Sequence, residues 1–411
     1  MVAAPARADS SRGQGRHFLF VCGPFGSFTR TLGRSLRGEG AQCSRVILNG
    51  GDAFDWGVSH ASPYFGPREG FGDWFAGVMR RDHVTDVVIY GDSHPYCVEA
   101  ARVAAGRSLK VHVLEQGYFR PFWITLERGG VNGNSSLPRD PCAYLEEARG
   151  IPAPIEEWLP PLTPPAVWNL ALYHAVLWLT TPAFARFRLP YQYSLPRQAF
   201  GHARRYLDQR LFRGRHRRRL ASALDGEGEL FLGILQRPGD SQLRVHSPFP
   251  STADFITRVV KSFARHAPAS ARLLFKSHFL DHGIEPHARS VALAAKVHGV
   301  AGRVLFTDSG DLHAMLPMAA GAVTVNSTAG LSAIGRGLPT VALGQAIYEM
   351  PGLTHQGGLD SFWAAPQAPE PDLYDAFRRV VVGRTQISGA YAIRQGVERA
   401  VPEVTRRLLS Q

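Results

Sequence analysis

The run HFLFVCGPFGSFTRTLGRSLRGEG, residues 17–40, opens as a short apolar strand, turns through the glycine-bearing GPFGSF and continues as a helix ending at glycine. SRVILNGGD (44–52) reads as the next strand. VTDVVIYGD (84–92) and LKVHVLEQG (109–117) are β-rich runs ending in small or acidic residues, and VEAARVAAGR (98–107) is a helix between them. Strands and helices that alternate this way build a parallel sheet, and ligands of such sheets sit beyond the C-terminal ends of the strands. Asp92 and Glu115 both fall at such ends. GPFGSF lacks the full GxGxxG spacing, so it is a poor dinucleotide fingerprint.

A second alternating block begins near residue 229. ELFLGILQ (229–236), ARLLFKSH (271–278), RVLFTDS (303–309), GAVTVNS (321–327) and PTVALG (339–344) read as strands, with helical stretches between them. The expected fold is α/β and GT-B-like: two Rossmann-type parallel-sheet domains facing a cleft, with a helical basic insertion between them. The expected boundaries are a disordered N-terminal tail at 1–16, an N-terminal Rossmann-like domain at 17–150, and a helical, basic, membrane-contacting linker at 151–221. A C-terminal Rossmann-like domain is expected at 222–385 and a C-terminal helical tail at 386–411.

At 411 residues the chain exceeds what one hydrophobic core usually supports, and 45% hydrophobic content supplies two. The formal net charge of +12, carried almost wholly by arginine, calls for an anionic partner. Arg213, Arg215, Arg217, Arg218 and Arg219 form the densest cluster. They read as a contact for anionic lipid at a membrane surface or as an ordinary solvated face. No nucleic-acid-binding motif accompanies them, so no nucleic-acid partner is expected. The opening MVAAPARADSSRGQGR has no apolar stretch of the signal-peptide kind, so the chain is expected to stay in the cytoplasm. Cys22, Cys43, Cys97 and Cys142 lie far apart without a CxxC pair, as expected of reduced thiols rather than a zinc site or disulfide framework. No ligand cluster and no DxD element is visible, so neither a metal nor another cofactor is expected.

Four stretches could carry chemistry. In VNSTAGLSAIGRG (325–337), Asn326, Ser327 and Thr328 stand where a strand gives way to a helix, suited to a phosphate or to simple N-capping. In KSHFLDHG (276–283), Lys276 and His278 could neutralise a leaving nucleoside monophosphate, although a histidine after a strand is also commonly structural. In LQRPGDSQLRVHSPF (235–249), Asp240 follows a Pro-Gly turn, as a nucleophile, a base or a turn aspartate. In VLEQGYFRPFWITLE (113–127), Glu115 ends an apolar strand, where burial would raise its proton affinity for acid–base work. Arg120 is a candidate for a substrate carboxylate or an ion-pair partner of Glu115.

Taken together, these stretches resemble the capsule polysaccharide biosynthesis and export family of KpsS/LipB-like proteins. GPFGSFTRTLGRSL, VILNGGDAFDW, TDVVIYGDSHPY and the long blocks at 114–141 and 325–363 carry the resemblance, which runs from about residue 18 to 363. The resemblance implies retaining transfer of β-Kdo from CMP-Kdo to a lysophospholipid or phosphatidylglycerol anchor. Carried over, Asp240 is the nucleophile, Glu115 the acid–base residue and His278 the group stabilising the CMP phosphate. Gln236, Lys276, Asn326, Ser327 and Thr328 hold the donor. The partners implied are a nucleotide sugar, an anionic phospholipid, the inner-membrane surface and other capsule assembly proteins. Two positions depart from the family pattern: Phe279 follows His278 where proline is usual, and GDSHPYC (91–97) stands where GDCRPxH is common. The rival readings are a GT-B transferase using another nucleotide sugar and a non-catalytic partner in capsule assembly or export.

Overall fold

The structure is a computed structural model that describes residues 13–160, 163–187, 193–237, 239, 243 and 245–411. It divides into two compact units. The first comprises the chain to Ser136, Pro154–Pro190 and Val381–Gln411; the second comprises Leu137–Ala153 and Tyr191–Val380.

The first unit is built on a seven-stranded sheet. Its strands are β1 (His17–Val21), β2 (Gln42–Ile47), β3 (Ala61–Pro63), β4 (Asp86–Tyr90), β5 (Lys110–Gln116), β6 (Trp123–Arg128) and β12 (Gln386–Ser388). The order is β12-β6-β5-β4-β1-β2-β3, parallel from β3 to β5, with β6 and β12 antiparallel at one edge. Period-two alternation explains why β1 is apolar throughout: Phe18 and Phe20 enter one core layer, Leu19 and Val21 the other. Helix Phe28–Gly38 follows β1 and buries Leu32 and Leu36, four residues apart on one face. Each such side chain contributes roughly 1.5–3 kcal/mol on burial.

The second unit carries a five-stranded, wholly parallel sheet. Its strands are β7 (Leu230–Ile234), β8 (Arg272–Lys276), β9 (Val304–Thr307), β10 (Gly321–Thr324) and β11 (Thr340–Ala342), ordered β11-β10-β7-β8-β9. Both sheets therefore reverse strand order beside their first strand, β1 against β4 and β7 against β10. That is the Rossmann-type arrangement the alternating pattern predicted.

Three expected boundaries need correction. The segment assigned to a disordered tail contains ordered residues: Arg16 Nε donates to Asp86 at 3.0 Å and Arg16 Nη1 to the Leu408 carbonyl at 2.7 Å. Asp86 is fully buried. Burial alone would raise its pKa, but hydrogen bonds from His112, Arg16 and Thr85 hold it well below the usual carboxylate range. The C-terminal tail is part of the first unit. There β12 extends the sheet, and helix Arg394–Ser410 buries Val397, Val401, Val404 and Leu408 in the layer shared with Phe18 and Phe20. The linker at 151–221 is divided between the units. Helix Pro164–Leu179 packs on helix Gly50–Trp56 of the first unit. A Cβ at Gly51 would stand 2.4 Å from the Tyr173 ring, so only glycine permits the approach.

Candidate functional site

In the second unit, the groups that could hold a ligand gather past the C-terminal ends of β7, β8 and β10. Gln236, two residues beyond β7, is 6% exposed, and its Nε2 donates to Asn326 Oδ1 at 2.7 Å. Asn326 Nδ2 in turn donates to the His246 carbonyl at 3.4 Å, tying the two strand ends at the reversal point. Three buried polar atoms here have no hydrogen-bond partner among the described residues: Gln236 Oε1, His246 Nε2 and Thr324 Oγ1. Orphaned polar atoms of this kind cost about 1–3 kcal/mol each, and each calls for a partner such as a water or a ligand. Ser327 caps helix Thr328–Ile334 by accepting from Ala329 N at 3.2 Å, and its carbonyl accepts from the Tyr348 hydroxyl at 2.7 Å. Its side chain thus has a structural task. Thr328 opens the helix and is half-buried.

Lys276 ends β8 and is 5% exposed. Its Nζ donates to the Ser277 carbonyl at 2.7 Å. Burial, and then the neighbouring Arg205 charge, pull its pKa down to about 8. The ammonium still predominates near neutral pH, and an incoming anion would favour that charged form further. His278 is half-buried, accepts from Leu280 N through Nδ1 at 3.1 Å and stacks on Phe279 at 4.6 Å. Phe279 is 74% exposed, so the residue standing in for the family's proline presents its ring to solvent. Asp240 lies outside the described residues.

In the first unit, Glu115 stands at the C-terminal end of β5, half-buried rather than enclosed, with Oε1 accepting from Gln116 N at 2.8 Å. Its other oxygen reaches over Gly91, where φ is +68° and a Cβ would lie 3.0 Å from it. Arg120 is exposed and donates from Nε to the Gly117 carbonyl at 3.3 Å. Asp92, just past the end of β4, uses Oδ2 for architecture, accepting from Val131 N at 3.0 Å and Asn134 Nδ2 at 2.9 Å, while its buried Oδ1 has no hydrogen-bond partner among the described residues. The GPFGSF turn is occupied as well, since Asp55 accepts from Gly26 N at 2.9 Å. This agrees with its poor match to a phosphate-binding fingerprint.

The basic stretch separates into two roles. Arg204 and Arg205, on helix Leu195–Leu211, donate to carbonyls of the loop after β8, and Arg205 also reaches Asp308 O at 2.9 Å. Arg213, Arg215, Arg217, Arg218 and Arg219 are all exposed on helix Arg213–Leu224.

Some groups stand out only in three dimensions. Asp55 and His246 carry no motif that sets them apart. Cys22, His94 and Cys97 are brought together although Cys22 lies on a different strand-turn from the other two, so the spacing rule that excluded a ligand cluster missed them.

The fold and these strand-end groups define a GT-B-like α/β protein with two Rossmann-type units. The chain belongs to the family described as capsule polysaccharide biosynthesis protein, whose family model matches residues 85–391. It is 32% identical to the capsule polysaccharide export protein KpsS of Escherichia coli over 92% of this chain and 97% of that protein. It is 30% identical to the capsule polysaccharide modification protein LipB of Neisseria meningitidis serogroup A, over 91% of each. Among solved structures, the chain titled beta Kdo 2,7 transferase, Thermosulfurimonas dismutans KpsC, has a TM-score of 0.45 and 12% identity. That alignment covers 96% of this chain and 99% of the other. Among the described residues no helix is long and apolar enough to cross a membrane.

Proposed function

We propose that this capsule biosynthesis protein is a retaining glycosyltransferase that moves β-Kdo from CMP-Kdo to a lysophosphatidylglycerol or phosphatidylglycerol anchor. The observation that carries the reading is the Gln236–Asn326 amide pair at the β7/β10 reversal, with orphaned Gln236 Oε1 and His246 Nε2 beside it. An amide acceptor and an imidazole nitrogen suit a cytosine ring or ribose hydroxyls at the position where Rossmann-type sheets bind nucleotides. The Lys276 ammonium and His278 neutralise the departing CMP. In the first step the Asp240 carboxylate attacks the anomeric carbon and the bond to CMP breaks. In the second, Glu115 takes the proton of the acceptor hydroxyl, whose oxygen displaces Asp240 and restores the original configuration. Ser327 and Thr328 complete the donor contacts, and Arg120 meets the Kdo carboxylate. No metal takes part in these steps, and the enzyme works at the inner-membrane surface beside other capsule assembly proteins.

The test is incubation of the purified chain with CMP-Kdo and synthetic lysophosphatidylglycerol, followed by mass spectrometry of the lipid and assay of free CMP. One added Kdo is expected on the lipid. Asp240→Ala should lower turnover by roughly a thousandfold or more while CMP still binds. Full turnover by that variant removes Asp240 from the mechanism. Release of a nucleotide from a different donor in a panel replaces CMP-Kdo. Inertness toward every donor favours the export role in the name of the Escherichia coli relative.

A further inference from the structure

The end of β1 and the start of the helix after β4 bring two thiols and one imidazole to a single point. Cys22 is the first residue past β1, and His94 and Cys97 open helix Pro95–Ala105. One ligand atom from each of the three lies within 4.8 Å of the others, and the Cys22 Sγ to His94 Nδ1 separation is 3.8 Å. A tetrahedral zinc ion, with bonds near 2.3 Å to sulfur and 2.0–2.1 Å to nitrogen, holds such atoms roughly 3.6–3.8 Å apart. Closing the widest gap therefore takes an adjustment of about 1 Å, within reach of side-chain torsions.

Two further details favour a built site. Cys22 adopts the left-handed region at φ 57°, a conformation uncommon for a residue with a Cβ. Cys97 is fully buried and Cys22 half-buried, so the two sulfurs sit away from bulk water. Their other neighbours are weak: Cys97 Sγ lies 3.6 Å from the Tyr90 carbonyl and 3.8 Å from the Val21 carbonyl. His94 Nδ1 meets one backbone donor, Tyr96 N, at a long 3.3 Å, an interaction a metal would supplant.

We propose that Cys22, His94 and Cys97 bind a soft divalent ion of the zinc class, clamping the ends of β1 and β4 together at the reversal point of the first sheet. Two thiolates and an imidazole select such ions over magnesium or calcium, which take oxygen ligands. Three protein ligands leave a fourth coordination position for water or a bound anion. Binding releases the two thiol protons to solvent as the sulfur–metal bonds form. The site does not depend on the transferase reading, whose steps use no metal.

Titration of the reduced, metal-free full chain with Co2+ tests this directly. About one equivalent is expected to bind, with the near-ultraviolet thiolate-to-cobalt charge-transfer band and tetrahedral visible bands, and Zn2+ should displace it. Cys22→Ser and Cys97→Ser should each weaken binding at least tenfold, while Cys142→Ser, on the surface, leaves it unchanged. Absence of the charge-transfer band in the unsubstituted protein overturns the proposal without relying on any variant. A Cys22–Cys97 disulfide in protein isolated with thiols alkylated at lysis overturns it equally.

Discussion

Asp55 is 4% exposed beneath the turn that follows β1, where its Oδ2 accepts the Gly26 N–H at 2.9 Å. Burial pushes its pKa up to about 6, with the Gly26 hydrogen bond and the Arg45 charge only partly opposing the shift. The sign follows from linkage. An unfolded Asp titrates near 3.9, so from about pH 4 to 6 the unfolded chain releases this proton while the folded chain keeps it. Stability therefore falls with rising pH across that window and stays lower above it, by at most about 3 kcal/mol. Asp55→Asn retains an acceptor for Gly26 N and removes the charge. Thermal unfolding should show it stabilised by roughly 1–3 kcal/mol at pH 8 and indistinguishable from the parent at pH 4. An equal difference at both pH values would assign the effect to packing. Nothing in NGGDAFDW announces this, because a perturbed aspartate needs neighbours from separate elements. Lys276 and Glu115 stand out in the sequence by contrast, each as a charge at the end of an apolar strand, whatever role it plays.

Helix Leu195–Leu211 shows how an element's role can be hidden in its composition. Its arginines look interchangeable in sequence, yet Arg205 is only 11% exposed and donates to the Phe279, Asp281 and Asp308 carbonyls. It thereby fixes the loops that follow β8 and β9, including the backbone around His278. Charged hydrogen bonds of this kind contribute about 1.5–3 kcal/mol each and are not additive. Arg205→Ala is expected to speed amide exchange in the 278–283 loop by roughly a hundredfold while the β7 and β8 core amides keep their protection. Uniform loss of protection across the second unit would show a global role instead. The strands illustrate the same limit from another side. In the second sheet β7 and β10 are short runs buried at every position, and they read plainly. In the first sheet β6 follows a proline and ends in Glu127 and Arg128, and β12 spans three residues, two of them polar. Only the sheet edges they pair with make them strands.

Across the whole chain the +12 charge is a statement about partners rather than fold. The second unit gives that charge a place. The five exposed arginines from Arg213 to Arg219 follow directly on Phe200, Tyr206, Leu207, Leu211 and Phe212, each between 43% and 73% exposed. Apolar and aromatic side chains beside a run of arginine are the composition of an interfacial helix, whereas a solvated basic face does not need the exposed rings. Each arginine near an anionic bilayer contributes about 1 kcal/mol, so five together are worth several orders of magnitude in partitioning at low salt. Sedimentation with phosphatidylglycerol vesicles should therefore capture the protein, vesicles of phosphatidylcholine should capture far less, and added salt should release it within the range where the Debye length drops below about 10 Å. Replacing Arg213, Arg215, Arg217, Arg218 and Arg219 together with glutamine should weaken vesicle binding at least a hundredfold, with thermal stability unchanged because the side chains are exposed. Phe200→Ser and Leu211→Ser on the unaltered arginine background separate the two contributions, reducing the salt-resistant fraction of binding. A quintuple variant that sediments with phosphatidylglycerol as well as the parent would reduce the cluster to a solvated face and leave the membrane contact to other parts of the chain.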